Sequence, residues 1–332
     1  MKKILLIQTG GTIAMDISEG KKPKLNSQKW SEILFREIPE LSKIADIEMK
    51  QLFFQDSSDI NKEHWGILAE FIGENYKAYD GFVILHGTDT MAYTASALSF
   101  ALQNLGKPVI LTGSQVPMSN IRSDARRNLV NSIEMATLPL PEVAICFNDF
   151  IYRGNRATKM SIGDFDAFAS PNHPPLAEIG LNIEIQHQAS DPKDELSVKA
   201  RFSDQVFLLK IFPNLDPGFL EQINLGSIRA LIVEAFGSGN FPIHGKMSLL
   251  PFFKKCVEND ILLIVTSQAP YDAVDLENYE SGRKAHKLGA LSARDMTTEA
   301  TLTKIMYLLG KHSDKKTIIE QFNRNLVGEM TE

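Results

Sequence analysis

Five short apolar runs recur along the chain with one grammar: each ends in small hydroxyl, amide or glycine residues. Residues 4–7 run into Gln8-Thr9-Gly10-Gly11-Thr12, residues 82–85 into His86-Gly87-Thr88-Asp89, and residues 109–111 into Thr112-Gly113-Ser114-Gln115. Residues 231–233 run into Glu234-Ala235-Phe236-Gly237-Ser238-Gly239, and residues 261–265 into Thr266-Ser267-Gln268. Runs that are apolar throughout, rather than alternating, predict strands covered on both faces, as in parallel sheets layered by helices. In open sheets of that kind ligands bind beyond the carboxyl ends of the strands, where these polar residues fall.

Between the runs the period changes from strand to helix. Asn61 is placed to cap a helix whose Trp65, Leu68, Ala69 and Ile72 share one face. Residues 91–105 predict a second helix, stopped by Gly106 and Pro108. Ser123 or Asp124 is placed to cap a third, through Leu129, Val130 and Ile133. Thr297 and Glu299 open a fourth, through Leu302, Ile305, Met306 and Leu309, which Gly310 is placed to stop. Residues 187–201 are polar, of mixed charge, and include Pro192. The expected architecture is therefore α/β in two parts. A larger N-terminal domain with a mostly parallel sheet flanked by helices takes residues 1–190, a linker 191–205, and a smaller C-terminal α/β domain 206–332.

Composition narrows the function class. The 332 residues carry a net charge of −6 with no polybasic run, so neither nucleic acid nor an anionic membrane is an expected partner. Cys146 and Cys256 are the only cysteines, which is no disulfide framework and agrees with a reducing compartment. Lys2 and Lys3 before residues 4–7 resemble the start of a signal peptide, but the apolar run is shorter than the ~7–15 residues such a segment needs. A cytoplasmic protein is the expectation. The seven histidines are scattered, and neither a metal-binding motif nor a nucleotide-binding glycine pattern occurs, so no metal or cofactor is expected. Gly237-Ser238-Gly239 is only a truncated form of a serine-hydrolase elbow.

Four polar segments remain. Gly10 and Gly11 form a small turn where backbone N–H groups can face a ligand, with Thr9 and Thr12 offering hydroxyls; a plain strand-to-loop turn is the rival reading. Thr88 and Asp89 pair a hydroxyl with a carboxylate able to hold an α-ammonium, while Thr88, Asp89 and Thr90 could equally cap the helix that follows. His86 reads as structural. Asp56, Ser57, Ser58 and Asp59 offer contacts to a polar ligand or form a capping turn. Lys159 would suit a base if buried, but within Arg153-Gly154-Asn155-Arg156-Ala157-Thr158-Lys159 it reads locally as a solvated charge.

The order of these segments is more specific than any one of them. TGGTIA at 9–14, DSSD at 56–59, HGTDTMAYTASAL at 86–98, TGSQVP at 112–117, RSDARRNL at 122–129, YRGNRATK at 152–159, DFDAFASPN at 164–172 and DMTTEATLTK at 295–304 follow in succession. This succession resembles the bacterial-type L-asparaginase family, most closely its cytosolic type I branch, along essentially the whole chain. The resemblance implies an asparaginase/glutaminase-like fold and hydrolysis of a small amino acid's side-chain amide, L-asparagine first. It implies Thr12 as nucleophile, Thr88, Asp89 and Lys159 as its catalytic partners, and Asp56, Ser57, Ser58, Asp89 and Ser114 as substrate contacts. It implies an intimate homodimer whose neighbouring subunit closes the site, often paired into a homotetramer.

The chain departs from the family at three places. Glu19-Gly20-Lys21-Lys22-Pro23 stands where many members carry a loop tyrosine, Ala125 replaces a usual glycine, and Glu234 replaces the basic residue of an allosteric asparagine site. Cooperative regulation is accordingly not expected. Two alternatives stay open: a glutaminase-leaning amidase of the same superfamily, and a non-catalytic amino-acid-binding sensor.

Overall fold

Residues 4–7 sit within β1 (Lys3–Gly10), where every residue from Ile4 onward is buried. The computed structural model describes residues 1–14, 34–186 and 194–332, in two units, Met1–Ala200 and Arg201–Glu332. Residues 19–23, where the loop tyrosine of the family is replaced, and residues 187–193 of the boundary segment lie outside the described residues.

The first unit is built on one sheet. β1 is flanked by β2 (Asp46–Gln55) on one side and β3 (Gly81–Leu85) on the other, followed outward from β3 by β4 (Val109–Thr112) and β5 (Val143–Phe147), all parallel. Three antiparallel strands, β6 (Phe150–Arg153), β7 (Ala177–Ile179) and β8 (Ile183–Ile185), extend the far edge, giving the order β8-β7-β6-β5-β4-β3-β1-β2. The chain leaves β1 toward β2 and returns to β3 on the opposite side of β1. That reversal opens a crevice between the carboxyl ends of β1 and β3, the place where an open parallel sheet binds ligands.

Three helices follow from the periodic segments. Helix α1 (Lys62–Asn75) is capped by Asn61, whose side chain accepts from the N–H groups of Glu63 and His64, and it buries Trp65, Leu68, Ala69 and Ile72, the face expected from the sequence. Helix α2 (Met91–Ala101) ends earlier than the expected residue 105. Leu102 and Gln103 instead pair antiparallel with Val198 and Ser197, so tertiary strand pairing overrides the local helical pattern. Helix α3 (Ala125–Ala136) has Asp124 at its N-cap position, but the Asp124 carboxylate does not cap it. It accepts instead from the backbone N–H groups of Gln115 and Val116, while Ser123 Oγ accepts from Ala125 N at 3.0 Å. Ile4, Leu6, Val83, Leu85, Ile110, Leu129 and Ile133 share the core between the sheet and α3.

The second unit repeats the plan in smaller form, with parallel strands β9 (Val206–Lys210), β10 (Ala230–Ala235), β11 (Leu262–Ser267) and β12 (Leu291–Ser292) in that order. Helices α4 (Leu250–Glu258), α5 (Glu280–Lys287), α6 (Thr298–Lys311) and α7 (Lys315–Phe322) accompany them. Glu234, at the end of β10, pairs with Lys210 at 3.1 Å. Thr297 caps α6 as expected, but Gly310 lies inside that helix rather than stopping it. A Cβ there would fall 2.4 Å from the Arg201 carbonyl oxygen, so this glycine serves close packing.

In this unit Lys304 and Glu329 form a fully buried ion pair. Lys304 Nζ also donates to the Arg324 carbonyl at 2.7 Å, and the Glu329 carboxylate accepts from the N–H groups of Leu326 and Val327. Removing one member of such a pair strands a charge in a dry interior. Glu329→Gln is expected to lower the unfolding free energy by about 3–5 kcal/mol in urea titrations, and the double change Glu329→Leu with Lys304→Met to recover much of that loss.

Candidate active site

The residues after β1 and β3 meet through their backbones. Gly10 and Gly11 have φ of +130° and +89°, a region that side chains with a Cβ disfavour. A Cβ on Gly11 would lie 2.6 Å from Gly87 N, and one on Gly87 would lie 2.6 Å from Ser57 Oγ. Three segments distant in sequence therefore pack together at one end of the sheet, the first two backbone to backbone and the third through the Ser57 side chain. Thr12 and Thr88 are the residues immediately beyond the contact.

Thr88 lies at the centre of the polar cluster and is 8% exposed. Its hydroxyl accepts from Lys159 Nζ at 2.7 Å and donates to Gln115 Oε1 at 3.2 Å. Lys159 Nζ also lies 2.7 Å from Asp89 Oδ1. The Lys159 side chain is 15% exposed, against 67% for Asp89, so the amine is on the protein side of the pair and the carboxylate on the solvent side. Lys159 is thus not the solvated charge its local sequence suggests. A two-residue strand, Thr158–Lys159, paired with Phe168–Ala169, carries it back to the strand ends.

The other sequence candidates fall around this cluster. Ser57 is buried beside Gly87, and its carbonyl accepts from Thr90 Oγ1 at 2.6 Å. Thr90 therefore ties two site segments together and makes no side-chain cap on α2, for which it holds the N-cap position. The Asp56 carboxylate accepts from both the N–H and the hydroxyl of Ser58 at 2.9 and 2.8 Å, which is the capping turn foreseen as the alternative reading. Asp56 and Ser58 are exposed. Ser114 is 1% exposed, and its hydroxyl has no partner among the described residues. Thr12 is half-buried, with no side-chain hydrogen bond among the described residues.

Gln115 is the contact that sequence reasoning missed. Besides accepting from Thr88, its amide donates to the carbonyls of Ser161 and Asp164 at 3.3 and 3.1 Å, linking Thr88 to the loop after Lys159. Its position beside Ser114 at the end of β4 was the available signal, but nothing in the sequence pairs it with Thr88. Among the described residues no group of three or more His, Cys, Asp or Glu side chains could hold a metal ion, and no helix is long and apolar enough to cross a membrane.

The arrangement joins a hydroxyl, an amine and an exposed carboxylate beside a glycine turn at a strand-end crevice. Such a set suits acyl transfer without a metal. The chain matches the family model for the N-terminal domain of asparaginases over residues 3–191 and that for the glutaminase/asparaginase C-terminal domain over residues 205–322. It is 40% identical over 336 residues to L-asparaginase 1 of Escherichia coli (strain K12), across 99% of this chain and 98% of that protein. The solved thermostable L-asparaginase of Thermococcus kodakarensis superposes with a TM-score of 0.91 at 35% identity, across 99% of each chain. A glutamyl-tRNA(Gln) amidotransferase component of Pyrococcus abyssi is 32% identical over 343 residues, across 100% of this chain and 77% of that protein. The chain belongs to the asparaginase family of amidohydrolases.

His86, behind the site, is fully buried, and desolvation pushes its imidazole from the usual 6.5 down to about 4. The folded protein therefore holds this ring neutral while the unfolded chain protonates it first. Its contribution to stability is complete above pH 6.5 and is lost progressively as pH falls toward 4, by about 3 kcal/mol. Unfolding free energies of wild type and His86→Asn, measured by urea titration at steps across that window, should converge as pH falls. A constant difference would contradict this assignment.

Proposed function

We propose that this protein hydrolyses L-asparagine to L-aspartate and ammonia through a threonine acyl-enzyme. The observation that carries the reading is the position of Lys159 Nζ, 2.7 Å from both the Thr88 hydroxyl and the Asp89 carboxylate. A threonine hydroxyl is a weak nucleophile at neutral pH and needs a group to take its proton. In its amine form Lys159 takes that proton along the contact with Thr88, and Thr88 relays it from Thr12. Asp89, exposed toward solvent, holds the substrate's α-ammonium, with the segment Asp56-Ser57-Ser58 and Ser114 completing the pocket.

Thr12 Oγ forms a bond to the side-chain amide carbon, giving a tetrahedral oxyanion held by backbone N–H groups near Gly87 and Thr88. The carbon–nitrogen bond then breaks, and the proton carried by the relay leaves with ammonia. Water cleaves the resulting threonine ester and releases aspartate. The 40% identity to a protein named L-asparaginase 1 supports this substrate, and asparagine is favoured over glutamine on that ground. A cytoplasmic homodimer, or a tetramer of two dimers, is part of the same proposal.

Purified protein should release ammonia from asparagine, with glutamine assayed in parallel. Thr12→Ala and Thr88→Ala should each lower kcat by about a hundredfold or more, with circular dichroism unchanged. Near-normal turnover in either variant would remove that residue from the mechanism. Binding of asparagine without any ammonia release from either amide would favour a sensor.

A further inference from the structure

Behind Thr88 lies a hydrogen-bond chain that the catalytic steps above do not use. Trp65 Nε1 lies 3.1 Å from Thr94 Oγ1, Thr94 Oγ1 lies 2.9 Å from His86 Nε2, and His86 Nδ1 lies 2.7 Å from the Gly87 carbonyl oxygen. All three side chains are buried, His86 completely.

The two ends of the chain set its direction. An indole N–H only donates, and a carbonyl oxygen only accepts. His86 Nδ1 must therefore carry the proton that it gives to Gly87. Burial disfavours a second proton on the ring, so Nε2 accepts from the Thr94 hydroxyl, whose oxygen accepts in turn from Trp65. One tautomer satisfies every member, and each link runs the same way, from Trp65 to Gly87.

The chain ends on an atom whose orientation matters. The Gly87 carbonyl and the Thr88 N–H belong to one planar trans peptide and point in opposite directions. With the carbonyl held against the buried imidazole, the Thr88 N–H faces away from the interior, and it has no hydrogen-bond partner among the described residues. Gly87 has no side chain with which to hold this plane, and its Cα packs against Ser57.

We infer that His86 is a positioning residue, locked by Thr94 and Trp65, that fixes the Gly87–Thr88 peptide plane and so aims the Thr88 N–H at the oxyanion of the tetrahedral intermediate. This role rests on the amidase reading proposed above. A donor aimed in advance costs no reorganisation when charge develops, so its loss falls on kcat rather than on substrate binding.

The test uses where two amides place their nitrogen. The amide of His86→Asn falls close to the Nδ1 position and keeps a donor for the Gly87 carbonyl. The amide of His86→Gln reaches the Nε2 position and keeps only the contact with Thr94. His86→Leu keeps neither. His86→Asn should retain kcat within about threefold, whereas His86→Gln and His86→Leu should lose about 10–100-fold in kcat with KM within about threefold. A merely structural role would instead make activity follow thermal stability, without regard to which end carries the donor. In selectively labelled wild-type protein, nitrogen chemical shifts should show the Nδ1–H tautomer of His86.

If the histidine variants do not fold, Thr94→Val, which removes the hydroxyl that selects the tautomer, should lower kcat severalfold at unchanged KM. Wild-type kcat in His86→Gln and His86→Leu, wild-type kcat in Thr94→Val, or an Nε2–H tautomer would each overturn the role while leaving the amidase reading intact. A wild-type protein that releases ammonia from neither amide would instead remove that reading and this role with it.

Discussion

The contact between the Gly11 and Gly87 backbones is the constraint on which the site depends. β1 and β3 are parallel neighbours with Gln8 opposite Leu85, so the loops leaving them must run side by side. A β-carbon on Gly11 would sit within 3 Å of Gly87 N and the His86 carbonyl carbon, a separation that no small adjustment relieves. The absence of a side chain at Gly11 lets the two loops touch, that at Gly87 leaves room for Ser57, and the residue after each glycine is a threonine. Thr12 and Thr88 each follow a glycine of this close approach. The topology adds direction, since the chain reverses across β1 and leaves this meeting point as the open crevice of the sheet.

Strand ends in this protein are rich in hydroxyls, and most of them work as staples. Thr9 Oγ1 donates to the Leu85 carbonyl at 2.6 Å, Thr112 Oγ1 to that of Cys146 at 2.9 Å, and Thr90 Oγ1 to that of Ser57 at 2.6 Å. Each satisfies a polar pair, buried in the first two and half-buried at Thr90, and fastens neighbouring segments. The hydroxyls of Thr12 and Ser114 make no such bond among the described residues, and that of Thr88 is shared between Lys159 and Gln115. Hydroxyls two or three residues apart are thus divided between those that staple a backbone carbonyl and those that do not.

That division explains how far the sequence could be read. The fully apolar runs announced β1, β3, β4, β10 and β11 because burial on both faces leaves a compositional trace, and the face of α1 was legible through its period and its Asn61 cap. β2 left no such trace, because it is an edge strand of half-buried residues in which Lys50 and Glu48 alternate with apolar ones. The end of α2 and the place of Gly310 were set by distant partners, Val198 and Arg201, that no local window contains. At the strand ends, residue type alone could not separate Thr9 from Thr12 or Thr90 from Thr88, and only the family resemblance singled out Thr12 and Thr88. Chemistry alone does not distinguish a hydroxyl that bonds a carbonyl across the sheet from one that does not. Lys159 was misread locally for the same reason, since its partners stand some seventy residues earlier in the chain.

The unequal exposure of the Asp89–Lys159 pair also bears on which amides such a site would accept. A neutral simple amide gains nothing from the exposed carboxylate, and an approaching anion meets it before it meets the shielded amine. A cationic group reaches Asp89 first, and there it competes with Lys159 for the same oxygen atoms. Under the proposed function, an α-ammonium bound at Asp89 thus recognises the substrate and loosens the amine from the carboxylate, while leaving that amine within 2.7 Å of the Thr88 hydroxyl. Recognition and activation are then one event: an amide without the ammonium would enter a crevice whose lysine is still engaged, so discrimination against it would register in the chemical step as well as in binding.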